Sequence, residues 1–442
     1  MRKLFQGLLS GAALLGVGLV SAALPIQTFT TAAGTRVYLV QSPTLPMVDV
    51  QIDFDAGDRR DPPGKVGVAS NVASLTAKGV RAQGGQPALD ENQLGEAWAD
   101  LGASFGGSAS DDRMSFRLRS LTRPDTLRQA AELAARQMGQ PAYRPEHWDE
   151  ERERDVAALR EARTRPATVA QERFMAALYP QHPYGIATTE EGLRAIRVED
   201  LHAFHRQHLL ACRAKVSIVG AVNATQAREL VERLMAHLPR PAACPALPAV
   251  AAVQPLTQAQ QIRIPFQAAQ AQVLLGQPGF KRNDPDFFPL FVGNHILGGG
   301  GFVSRLTNQV REQRGLSYSV YSYFAPGLHE GPFAAGLQTR PDQAEQALAL
   351  TQEIIREFVR SGPTAEELKA AQDNLIGGFP LRLDSNKKWL DQVANIAWND
   401  LPLDYLDRWT ERVAAVTVEA VRAAFQRKLQ PERMVSVILG PQ

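Results

Sequence analysis

Cysteine is almost missing from this sequence: Cys212 and Cys244 are the only two in 442 residues. A cysteine-based metal site needs more ligands than this. In an exported chain the pair could form one disulfide. Two free thiols are the equal alternative, because Cys212 leads into an apolar strand. An excess of one charge is missing as well. Loss of Arg2 and Lys3 with a leader takes Lys+Arg from 48 to 46, against 46 Asp+Glu. A chain so balanced has no electrostatic footprint for nucleic acid. The hydrophobic share is 44% and the charged share 21%, which fits a soluble globular protein rather than a disordered or membrane one.

The apolar run Leu4 to Val20 is broken by glycines, follows Arg2 and Lys3, and ends in Val20-Ser21-Ala22. That pattern predicts a secretory signal at residues 1–22, cleaved after Ala22, and a periplasmic mature chain. An uncleaved anchor is the alternative, although the run is short for a span of ~20 residues. No cysteine follows it, which argues against a lipoprotein.

A prior of ~150 residues per domain suggests two or three domains. The stretch "PRPAACPALPAVAAVQP" is proline-rich, alanine-rich and nearly uncharged. It reads as a linker over 239–256, between an N-terminal domain at 23–238 and a C-terminal domain at 257–442. The two halves share an order of elements. "VDVQIDFDAG" alternates apolar and polar residues as a half-buried strand does, and "AQVLLGQPGF" opens the second half similarly. Helical segments follow at Val66 to Lys78 and Phe288 to Leu297. Next come the strand "DRMSFRLRSL" and its counterpart "SYSVYSYFA", then helices, and last the apolar strands "AKVSIVGAV" and "MVSVILGP". The expected fold is α+β, with two tandem homologous α/β-sandwich domains.

What is missing from "GVASNVASLTAKG" (Gly67 to Gly79) is chemistry. Val68, Val72 and Leu75 make it amphipathic, while Ser70, Asn71, Ser74 and Thr76 are poor metal ligands. Elsewhere "HPYG" (182–185), "LGGGGFVSRL" (297–306) and "VREQRGLSYSVYS" (310–322) occur in that order, with "RVEDLHAFHRQHL" and "DLPLDYLDRW" as helical portions. On these landmarks nearly the whole mature chain resembles the pitrilysin/insulinase family of zinc peptidases, which includes mitochondrial processing peptidase and bacterial two-subunit forms.

The resemblance implies a zinc helix bearing H-x-x-E-H, two histidines four apart binding zinc and a glutamate polarising water. Here Ser70 and Ser74 stand at the histidine positions and Ala73 at the glutamate position. The family's third ligand, a downstream glutamate, falls near Glu151 by counting, or at Arg160 beside Glu161 by local pattern. The resemblance also implies that Arg311 and Tyr318, seven residues apart, reach the substrate carbonyl and backbone and stabilise developing negative charge. The plain alternative is a surface ion pair for Arg311 and a place in the strand core for Tyr318. The glycine run Gly298, Gly299, Gly300 and Gly301 is either a flexible substrate-side loop or a tight helix-terminal turn. His202, His205 and His208 fall three apart, which rotates the outer two by about 120° and does not gather them on a metal. His147, His237, His295 and His329 are isolated.

These expectations describe a non-catalytic, substrate-binding subunit of a periplasmic zinc peptidase heterodimer. The chain itself would carry no cofactor, and zinc would sit in an H-x-x-E-H-bearing paralogous partner. Peptides would be the substrates, with no nucleic acid and, after signal cleavage, no membrane; a homodimer without the partner is left open. The alternative is a scaffold or peptide-binding protein of the same fold. A stand-alone enzyme with unorthodox ligands is a third reading.

Overall fold

The first half begins with a hairpin, β1 (Gln27–Thr30) and β2 (Arg36–Gln41), then β3 (Met47–Phe54). A two-stranded ribbon follows, β4 (Gly79–Val80) with β5 (Leu89–Asp90), and then β6 (Ser104–Ala109), β7 (Met114–Leu121) and β8 (Lys215–Gly220). These come from a computed structural model that describes residues 24–441. The signal read at residues 1–22 lies outside the described residues.

One six-stranded sheet runs β1-β2-β8-β3-β7-β6. The second half supplies β9 (Gln260–Pro265), β10 (Ala271–Pro278), β11 (Ser319–Phe324), β12 (Pro332–Thr339) and β13 (Val435–Gly440), in the order β11-β12-β10-β13-β9. Both sheets have one parallel pair, β2 with β8 and β9 with β13, followed by three antiparallel pairs. The tandem repeat is therefore exact in topology, and β1 is the addition. One strand match needs correcting: "SYSVYSYFA" (β11) corresponds to β6, and β7 corresponds to β12. The sequence "SFGGSA" of β6 has two glycines and little alternation, so it carries no strand signal of its own.

Helices cover the sheets with local start signals. Asp90, Asn223 and Thr364 form capping boxes with Gln93, Gln226 and Glu367. Pro124, Pro145 and Pro166 open three more helices, where a missing N–H costs nothing. Between Leu238 and Gln260 the chain has no helix or strand. Cys212 and Cys244 are joined as a disulfide with Cα atoms 6.0 Å apart, so the start of this segment is tied to the first half.

The strand β3 is buried on both faces rather than half-buried. Its apolar face meets the first-half helices in one core. Its polar face is covered by a helix from the other half, Asn386–Trp398, which packs on β3 and β8. Rows of opposed residues there are Lys215–Asp53–Ser115 and Ser217–Gln51–Arg117. Asp53 accepts from Gln51 at 2.8 Å and from Ser115 at 2.5 Å, and burial pushes its carboxyl above the usual range. Lys215 donates to the carbonyls of Ala397 and Trp398 at 2.8 and 3.0 Å, capping the helix end where a cation is favoured.

The exchange is reciprocal. Helix Pro166–Leu178 of the first half lies on β10 and β13, with Ala170, Phe174 and Leu178 against Leu274, Ala334, Val437 and Leu439. Each half thus completes the other's sandwich.

Candidate functional site

The segment expected to be a zinc helix is a helix over Val68–Ser74 that tightens into a turn at Leu75–Lys78. Its N-terminus is held by Asp61, whose two carboxylate oxygens accept from Gly67 N and Ala69 N at 2.7 Å each. Burial pushes the Asp61 carboxyl up to about 7, against the pull of these bonds. Ser70 is half-buried and donates to Asp58 Oδ1 at 3.1 Å. Burial also raises the Asp58 carboxyl. Ser74 is exposed and turns its hydroxyl back to the Asn71 carbonyl at 3.4 Å. Ala73 is 0% exposed, its methyl inside the first-half core.

The residues at these three positions do not fit zinc. Two are hydroxyls engaged within the chain, and the third is an apolar methyl with no proton acceptor. Neither downstream candidate supplies a ligand. Glu151 pairs with Arg154 at 2.6 Å and Arg160 with Glu190 at 2.6 Å. Asp155, which the spacing did not single out, reaches the helix instead: it accepts from Asn71 Nδ2 at 3.0 Å. Among the described residues no group of three His, Cys, Asp or Glu side chains is placed to hold a metal.

The histidine series is packing. His205 Nε2 lies 2.7 Å from the Met138 carbonyl, His208 stacks on Phe204 with centroids 4.3 Å apart, and His202 meets the edge of Tyr143. Burial pushes His205 and His208 down to about 4, so both are neutral at pH 7.

In the second half, Arg311 and Tyr318 lie side by side. Arg311 Nη1 donates to the Tyr318 carbonyl at 3.1 Å, Nε pairs with Glu312 at 3.1 Å, and the guanidinium covers the Phe302 ring at 4.7 Å. Tyr318 is 85% exposed and precedes β11, so it is not strand core. Phe302 and Val303 are 69% and 78% exposed. These groups form one surface with a free phenol and a cation. No hydrogen bond or ion pair among the described residues joins this pair to Ser70 or Ser74.

The glycine run is a tight turn. Helix Phe287–Asn294 widens at His295–Gly299, and Asn294 clamps the turn to β11 through Ser322, with bonds of 2.8 and 3.1 Å. A Cβ on Gly298 would meet the Ser322 backbone nitrogen at 2.5 Å, so only glycine permits the approach. Gly301, at φ +63° with open space around it, turns the chain toward Phe302.

A cavity of about 870 Å³ is lined by residues of both halves, Asp111 and Ser319 among them. The Gly57–Arg60 turn carrying Asp58 bonds to the carbonyls of Ser110 and Asp111, so the cavity's acidic edge is continuous with the turn that holds Ser70. "HPYG" contributes Tyr184 and Gly185 to its wall. The cavity had no sequence signal, because its walls come from both halves. Asp58 and Asp61 did leave one: acidic residues shortly before an apolar helical run are a helix-start pattern.

Comparison with known proteins agrees with this geometry. Residues 195–375 match the family model described as peptidase M16 inactive domain. A crystal structure of a peptidase M16 inactive domain from Pseudomonas fluorescens is 33% identical, with a TM-score of 0.88 over 95% of this chain and 98% of that one. A protein of Streptomyces coelicolor described as an uncharacterized zinc protease is 26% identical over 94% of this chain and 90% of its own length. A non-peptidase homolog of Helicobacter pylori is 35% identical over 34% of this chain and 35% of its own. With the fold, the ordered landmarks and these likenesses together, the chain belongs to the peptidase M16 family, the pitrilysin/insulinase type, as a member whose zinc helix carries Ser70, Ala73 and Ser74.

Proposed function

We propose that this chain is the non-catalytic, substrate-binding subunit of a periplasmic zinc peptidase heterodimer. Its partner is a paralogous chain with an intact H-x-x-E-H, which holds the zinc, while this chain carries none of its own. One observation carries the reading: the half-buried Arg311 and the exposed Tyr318 lie side by side in a chain whose zinc helix is lined by serine and alanine. A phenol and a guanidinium are the right donors for an oxygen that gains charge in the transition state. Pairing of Cys212 with Cys244 supports an oxidising compartment and so the exported reading.

The scaffold reading draws on a different observation. Arg311 is already engaged by Tyr318, Glu312 and Phe302 of its own chain, as a purely structural arginine would be. Mixing the partner with wild-type, Arg311→Ala or Tyr318→Phe protein separates the two. Loss of one donor is expected to lower peptide turnover by ~10²–10³-fold while the dimer still forms by sizing. Wild-type turnover by both variants in an intact dimer makes the pair structural and leaves the scaffold. Metal analysis of the isolated chain should find no stoichiometric zinc.

A further inference from the structure

We infer that the cavity between the halves is a recognition pocket for a basic side chain, lysine or arginine, of a bound peptide. Its floor is one face of the second sheet. Register places Ser319, Gln338 and Gln272 in one row, and Tyr321, Gly336 and Leu274 in the next. Helix Pro166–Leu178 covers the lower rows, where Phe174 packs, and leaves the upper row open. The volume of about 870 Å³ is within the range of ligand sites and exceeds what one side chain fills, so part of the peptide main chain enters too.

The chemistry of the lining selects the ligand. Among the described residues no Lys, Arg or His lines the cavity. Its two carboxylates are Asp111 and Glu172; Glu172 is paired with Arg163 at 3.2 Å, and Asp111 makes no side-chain ion pair or hydrogen bond among the described residues. Asp58 stands beside Asp111 and adds to the negative field, whereas Asp112 is paired with Arg59 at 2.9 Å. An unneutralised negative edge favours a cation.

Two aromatic rings face the space and are held in place. The Tyr184 hydroxyl donates to Asp112 at 2.6 Å. Tyr321 lies across the sheet because Gly336 has no Cβ, which would meet its hydroxyl oxygen at 2.6 Å. Tyrosine faces attract ammonium and guanidinium groups. Leu274 and Met175 offer apolar surface for the methylene stem, and among the described residues the amides of Gln272 and Gln338 have no side-chain partner.

The occupant rests on the reading of the chain as a peptide binder, but the test is independent of any partner subunit. Labelled pentapeptides with Lys, Arg, norleucine or Glu at the centre of an alanine frame are titrated onto the isolated full chain by fluorescence anisotropy. The Lys and Arg peptides should bind about tenfold tighter than the norleucine peptide, and the Glu peptide most weakly. Asp111→Asn, at an exposed position, should remove most of that preference, and Tyr321→Leu should weaken the basic peptides more than the norleucine one. Equal binding of norleucine and Lys peptides overturns the inference, as does an unchanged preference in Asp111→Asn or no binding at millimolar peptide. Cadaverine is added as a competitor; if it displaces the probe at lower concentration than the Lys peptide does, the pocket is a small-amine site and the peptide occupant is wrong. Failure of the Arg311 and Tyr318 variants to affect a heterodimer would leave this result untouched.

Discussion

Writing the zinc motif back into this chain should fail first at Ala73. The Ala73 methyl is fully buried in the core that holds Val72, Trp98 and Phe116. A glutamate there must either bury a charge or take up a proton. Neutralising a carboxyl of ordinary pKa ~4.3 at pH 7 costs about 3.7 kcal/mol, at 1.36 kcal/mol per pH unit. Fitting the extra side chain into a packed core adds ~1–3 kcal/mol. Ala73→Glu should therefore lower stability by ~5–7 kcal/mol at pH 7, measured by urea denaturation. The sign of the pH dependence identifies the cause. The folded-state pKa of the new carboxyl is raised, so its cost is present at pH 7 and is lost as pH falls toward ~4.3. Ala73→Gln adds nearly the same volume without a proton and should show a smaller, pH-independent loss. Ser70→His with Ser74→His, at half-buried and exposed positions, should stay within ~0.5–1 kcal/mol of wild type. If Ala73→Glu is as stable as wild type at pH 7, the position opens to solvent and the reasoning is wrong.

Phe174→Ala removes the largest side chain joining helix Pro166–Leu178 to the second sheet; a loss of ~3–5 kcal/mol is expected by denaturation, with faster proteolysis within residues 239–259. Asp61 has a folded pKa of about 7, so the folded chain holds its proton more tightly between pH ~4 and 7 and stability should rise as pH falls through that window. The wild-type minus Asp61→Asn difference in denaturation free energy should move by ~1–3 kcal/mol between pH 7.5 and 4.5, and a flat difference would refute the assignment. Replacing Cys212 and Cys244 with serine opens a loop spanning 32 residues and should cost ~2–4 kcal/mol in oxidising buffer, while reduced wild type and the double variant should unfold alike.

Sequence alone determined whatever was local or periodic. The alternation of Val48 to Phe54, the proline-rich stretch after Leu238 and the ordered landmarks identified two repeats of one α+β plan. The fixed spacing of a helical ligand pair located Ser70, Ala73 and Ser74, because residues three and four apart share a helix face whatever the rest of the chain does. The Arg311–Tyr318 neighbourhood was legible for a related reason: seven residues bridge a short turn, and here the guanidinium bonds to the Tyr318 carbonyl.

Tertiary structure decided everything that depends on contacts across the halves. Alternation in β3 could only say that one face is polar. That this face is buried follows from helix Asn386–Trp398, more than three hundred residues downstream, whose end Lys215 caps. Spacing left Cys212 and Cys244 open because pairing depends on a Cα separation, 6.0 Å, that the path of the proline-rich segment sets. Glu151 and Arg160 were the counted candidates near the zinc helix, yet Asp155 is the residue whose turn of the helix faces Asn71. The cavity had no local signature at all, because its lining joins a helix of one half, Pro166–Leu178, to strands of the other at Ser319, Gln338 and Gln272.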